Sequence, residues 1–256
     1  MSFSRPFTDA LAAFRRDHAL LVPLAGLTMF LPQYALLLLV PSMPRLPDAA
    51  ADPATITAFA GAVTDWAGRF GIWYLLAPAL GLLGALSVMV LYLAPGRLAL
   101  GKAVRRAGAL YVRYLLASIL VSLPVGGALV PAMASPVLLA VLLAPIFYIF
   151  GRTMLIAPAI VAEAPLSAVG AITRSWQLTR GHGWTLAAIY GVVAIGSQGI
   201  GGLLSRIGAL AGQGNAANPV AEALLGGMAS AVAAAAALTI ALLEVAIYRR
   251  VARHGT

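Results

Sequence analysis

The chain contains no cysteine, which excludes disulfides, thiol catalysis and thiolate metal sites and leaves its redox compartment open. Charge is scarce: 10% of 256 residues, with one lysine, Lys102, and eight acids. There is no HExxH zinc motif, no P-loop and no GxSxG, and no pair of acids at helical spacing within an apolar run. The three histidines, His18, His182 and His254, fall in polar segments between apolar runs. No catalytic constellation, cofactor site or metal site is therefore expected. The sparsity of charge within the apolar runs also argues against an ion-coupled transporter.

What is abundant is apolar surface. Hydrophobic residues make up 61% of the chain, against roughly 45–50% in soluble domains. A water-soluble fold of this size has too little interior for them, so the expected fold class is all-α, a polytopic membrane helical bundle forming a single domain. The expected spans are 20–40, 71–93, 110–130, 137–161, 184–204 and 221–248. Each is long enough to cross about 30 Å of hydrocarbon at about 1.5 Å per residue. The first run is too long for a signal-peptide core and has no small-x-small site before Pro41, so it reads as a retained span. Pro23 and Pro32 are expected to bend it.

Three polar segments precede the span pairs, and all three are expected as interfacial amphipathic helices. In Phe3–Asp17, Phe3, Phe7, Ala10 and Phe14 share one helical face. In Pro95–Gly108, Leu100, Val104, Ala107 and the following Tyr111 do so. In Pro165–Gly181 the stripe is Leu166, Val169, Ile172 and Trp176, with Ser167, Arg174 and Ser175 facing away. AFRRD at 13–17, AVRRA at 103–107 and AITRS at 171–175 suggest a threefold plan, each unit an interfacial helix plus a helical hairpin. Asp52-Pro53 is a helix start. The segment from Ile56 to Phe70 either lies on the interface or lengthens the second span. Pro41–Pro53 and Ser205–Pro219 read as loops, and Pro131–Pro136 as a turn.

The net charge of +9 would suggest nucleic acid in a soluble protein. Here the bases flank apolar runs, so the expected partners are anionic lipid headgroups and other membrane proteins, and nucleic acid is not expected. With six spans and both termini inside, 14 of the 17 basic residues fall on the cytoplasmic side, leaving Arg45, Arg69 and Arg206 outside. The Ala-, Gly-, Leu- and Arg-rich composition fits a bacterial inner-membrane protein.

Two charges stand inside apolar runs. Arg152 lies eleven residues before Glu163, about 16 Å deep if the fourth span is straight. Glu244 lies in the sixth, about a turn before Arg249. Either they pair with each other, or both snorkel to the inner surface. In RSWQLTRGHGW, at 174–184, Trp176 and Trp184 suit the headgroup level, and Arg174 and Arg180 suit lipid phosphates. Gly181 and Gly183 suit a helix end. That segment reads as a structural elbow or as a ligand site. Gly226, Ser230 and Ala234 form a small-xxx-small run for close helix packing.

Arg152, Pro158, Glu163 and the AITRSWQLTRGHGW stretch at 171–184, with Ala171, Arg174-Ser175-Trp176, Leu178-Thr179 and Gly181 at its core, resemble the bacterial glycerophosphoryl diester phosphodiesterase membrane-domain group. The resemblance is specific over roughly 35 residues and architectural elsewhere. It implies the fold and a membrane location. In that group the membrane part is sometimes joined to a phosphodiesterase barrel, for which these 256 residues are expected to leave no room. It carries no catalytic residue over. The expected function is a non-catalytic inner-membrane protein in envelope or lipid homeostasis, or a scaffold. The other reading is a carrier or channel for a small anionic or amphipathic solute contacted by Arg152. A weaker third is an accessory to a separate phosphodiesterase.

Overall fold

A computed structural model describes residues 4–45, 47, 52–96, 98–132, 135–212 and 218–254. Among them there is no strand. The helices are α1 (Ser4–Ala25), a π-helical turn (Gly26–Phe30), α2 (Leu31–Leu39), α3 (Pro53–Leu93), α4 (Leu100–Ala132), α5 (Pro136–Thr153), α6 (Ile156–Ala162), α7 (Ala168–Leu178), α8 (Gly183–Ala211) and α9 (Pro219–His254). Six helical stretches are long and apolar enough to span a membrane. The fold is thus the expected helical, multi-pass one. Phe3, Asp48 and Arg97 lie outside the described residues.

The polar segment before the first span ends where the sequence suggests. Asp17 departs from helical geometry (φ −117°, ψ 18°) and splits α1 into a surface helix and the start of the span. Ala10 on the surface helix is buried, and Phe7 and Phe14 pack against the core. Between Pro23 and Pro32 the chain winds into the π-helical turn, the bend expected from two prolines that withhold backbone donors. There it meets α3 at Gly84: a Cβ on Gly84 would lie 2.8 Å from Thr28 Cβ and collide with Thr28 Oγ1.

The third segment is also a separate helix, α7, as expected; the second differs. Residues 100–108 are the first turns of α4, with no break before the span. No residue there supplies a kink of the kind Asp17 gives. The threefold plan of separate interfacial helices is therefore not realised. The 56–70 segment resolves as an extension: α3 is 41 residues long, about 60 Å, twice a hydrocarbon core. Asp52 caps it, accepting from the Thr55 amide at 2.9 Å. α8 continues to Ala211, so the first half of the expected 205–219 loop is helix, and 213–217 lie outside the described residues. Described termini meet at one end of the bundle, where Arg250 bridges to Asp9.

α9 is the most buried span and packs on α8, α1 and α3. Its small residues do what the run at 226–234 suggests. Tyr34 and Leu37 of α2 sit against Gly227 and Gly226, and Tyr34 donates to the Ala223 carbonyl at 3.2 Å. Ser230 and Ala234 are buried below them.

Candidate functional site

The fourth span is not straight. Pro158 has no amide to give to the carbonyl four residues earlier, and its ring crowds that carbonyl. The helix accordingly stops at Thr153 and restarts at Ile156. The break is not left open. Ser175 Oγ donates to the Arg152 carbonyl at 2.8 Å and accepts the Leu155 amide at 3.2 Å; Thr179, the C-cap of α7, donates its hydroxyl to the Ser175 carbonyl at 2.7 Å and lies 3.2 Å from the Arg152 carbonyl. The Ser175 hydroxyl thus stands in for the missing turn between α5 and α6.

Arg152 then closes α7. Arg152 Nη1 donates to the Thr179 carbonyl at 2.8 Å and Nη2 to the Trp176 carbonyl at 2.7 Å. Carbonyls at a helix C-terminus lack intrahelical donors and carry partial negative charge, so a cation satisfies both deficits. The guanidinium carbon lies 4.6 Å from the Trp176 ring centroid and 6.0 Å from that of Tyr148. Arg152 is 8% exposed, and its Nε, buried, has no hydrogen-bond partner. Gly183 leaves room for the Arg152 stem, since a Cβ there would lie 2.8 Å from Arg152 Cδ. Gly181 turns the chain with φ +77°, a conformation that favours glycine.

Both expectations for Arg152 are therefore corrected. It neither pairs with Glu244 nor reaches the surface; its two terminal nitrogens bond to carbonyls at the end of α7. A carboxylate is not required, because two carbonyls, the helix dipole and two aromatic faces balance the charge. Glu244 is 9% exposed and has no basic group within 4 Å among the described residues. The phenols of Tyr114 on α4 and Tyr190 on α8 are within its electrostatic reach.

The face assignment of α7 is also corrected. Ala171, Ser175 and Thr179 are fully buried, while Val169 and Trp176 are 62% and 37% exposed. Of the expected stripe, Leu166 and Ile172 pack against the core while Val169 and Trp176 are turned outward, and the small residues allow the close helix approach. Ser175, expected to face away, is at the centre of the contact.

Glu163 and Arg174 do come together. Arg174 Nε meets Glu163 Oε2 at 2.7 Å, and Tyr248 of α9 donates to Glu163 Oε1 at 2.8 Å. Hydrogen bonding to Glu163 stabilises the charged guanidinium of Arg174 and raises its pKa above the ordinary value. Arg180 is exposed, with its carbonyl 3.2 Å from His182 Nδ1. Trp184 is 64% exposed and packs on Tyr148 at 4.8 Å. Tyr248 and the hydroxyl role of Thr179 escaped the sequence reading. The only signal for Thr179 was its place four residues after Ser175.

Among the described residues no group of three or more His, Asp or Glu is placed to hold a metal ion. The chemistry of the corner is that of a clamp: hydroxyls, carbonyls and one guanidinium join three helices. No protein-family model, curated protein or solved structure matches the chain.

Proposed function

We propose that this chain is a non-catalytic multi-pass protein of a bacterial inner membrane, with the basic end of the bundle in the cytoplasm, that serves lipid homeostasis of the envelope. The observation that carries this reading is the engagement of Arg152. A carrier that held an anionic solute at this residue would need guanidinium donors turned to a cavity. Here both terminal nitrogens bond to backbone carbonyls and the side chain is buried. The resemblance of 152–184 to the phosphodiesterase membrane-domain group supports the same reading, because those residues build the clamp rather than a reacting centre.

Two measurements test it. The phospholipid composition of the source membrane is compared with and without the gene, and flux of small organic anions is followed in proteoliposomes of the purified chain. Altered lipid composition without flux is expected. Saturable flux, with unchanged lipid composition, would favour the carrier and overturn the proposal.

A further inference from the structure

A second polar cluster lies at the basic end, away from the Arg152 clamp. Asp17, at the kink in α1, accepts from Arg16 Nε at 3.0 Å, Arg16 Nη2 at 2.8 Å and the Tyr92 hydroxyl at 2.6 Å. Arg249 of α9 donates through Nη2 to the Tyr92 carbonyl. Both guanidiniums lie near the Tyr92 ring, at 5.9 Å for Arg16 and 5.7 Å for Arg249. These groups border a cleft of about 550 Å³ that is also lined by Leu20 and Leu98.

Among the described lining residues the charges do not cancel: two guanidiniums face one carboxylate, which accepts from Arg16 and from Tyr92. Among the described residues, Arg16 Nη1 and Arg249 Nε and Nη1 have no protein acceptor. Guanidinium donors in this arrangement match phosphate oxygens. The volume lies within the range of small-molecule sites, roughly 300–1,000 Å³. The leucines require an occupant that is apolar at one end, and Leu20 stands at the start of the first apolar run.

We propose that this cleft binds the phosphate-bearing headgroup of an anionic phospholipid, with the phosphate against Arg16 and Arg249 and the acyl-chain end against Leu20 and Leu98. This deepens the lipid reading above, yet the two fail separately. Solute flux would overturn the proposed function and leave the cleft intact; loss of headgroup selectivity would do the reverse.

The test is native mass spectrometry of the purified chain titrated with phosphatidylglycerol or phosphatidylcholine, with inorganic phosphate and glycerol phosphate as competitors. The wild type is expected to prefer phosphatidylglycerol. A juxtamembrane charge is worth roughly fivefold in affinity, so the Arg16→Gln, Arg249→Gln double variant should weaken binding roughly 25-fold. Leu98→Trp keeps every charge and fills the cleft; it should also weaken binding, and it decides the matter if the double variant misfolds. Equal binding of the two lipids, or phosphatidylglycerol binding unchanged in Leu98→Trp, overturns the proposal. Displacement by equimolar glycerol phosphate assigns the cleft to a soluble phosphate ester and overturns the lipid.

Discussion

Arg152 grips Trp176 twice: its Nη2 donates to the Trp176 carbonyl at 2.7 Å, and the indole ring lies 4.6 Å from the same guanidinium. One residue thereby closes the C-terminus of α7 by hydrogen bonding and by cation–π contact. Only a planar fork can do both and still reach Thr179. Lysine has the charge but not the fork. Arg152→Lys should therefore cost stability, by about 1.5–3 kcal/mol for one charged hydrogen bond lost. A lowered Tm in detergent, with the spans still inserted, is the expected result.

The approach of α5 to α8 rests on two glycines of different tolerance. A Cβ at Gly151 would collide with the backbone nitrogen of Ala187, which has nowhere to move. A Cβ at Gly183 would meet the Tyr148 ring at 2.6 Å and Arg152 Cδ at 2.8 Å, both on side chains. Gly151→Ala should destabilise by about 1–3 kcal/mol through overpacking. Gly183→Ala should cost less in helix packing but disturb the clamp. Thermal unfolding of both, alone and with Arg152→Lys, separates the effects. Non-additivity is expected for Gly183, whose Cβ would meet Arg152 Cδ.

Asp52 gives a pH prediction at the opposite end of the bundle. The Thr55 hydrogen bonds hold its carboxyl below the ordinary value of 3.8. A depressed folded pKa means that the cap is present above the unfolded value and lost as pH falls through the lower folded one. The first turn of α3 should fray in that acid window and remain capped at neutral pH. Amide exchange over residues 53–57 measures this. Asp52→Asn, which still caps, should abolish the pH dependence.

The absence of cysteine makes sidedness directly measurable. Ala12 lies on the surface helix of α1, and Ala54 in the first turn of α3; both are exposed. With a cytoplasmic basic end, Ala12→Cys should resist a membrane-impermeant maleimide added to intact cells, and Ala54→Cys should react. The reverse pattern would place the basic end outside.

Much of the architecture was legible in the sequence because span length and charge asymmetry are set by the bilayer. The kink at Asp17 was legible too, since a polar residue there separates an aromatic stripe from an unbroken apolar run. The inner faces were not. Lipid is as apolar as a helix interior, so an apolar stripe does not say which of its members meet the core: Leu166 and Ile172 do, Val169 and Trp176 do not. Helical periodicity shows that residues share a face, not which neighbour the face meets. The Arg152 partner was missed for a related reason. An arginine in an apolar run points to an acid in a neighbouring span, whereas the partners are backbone carbonyls that no residue type announces.

The central claim, that Arg152 is a structural clamp rather than a ligand residue, is tested most directly by Arg152→Leu. Thermal stability and bound small molecules are measured together on the purified wild type and variant. Loss of two charged hydrogen bonds should destabilise by about 3 kcal/mol or more, with the same lipids and metabolites retained. An unchanged Tm, accompanied by loss of a bound anionic species, would contradict the account.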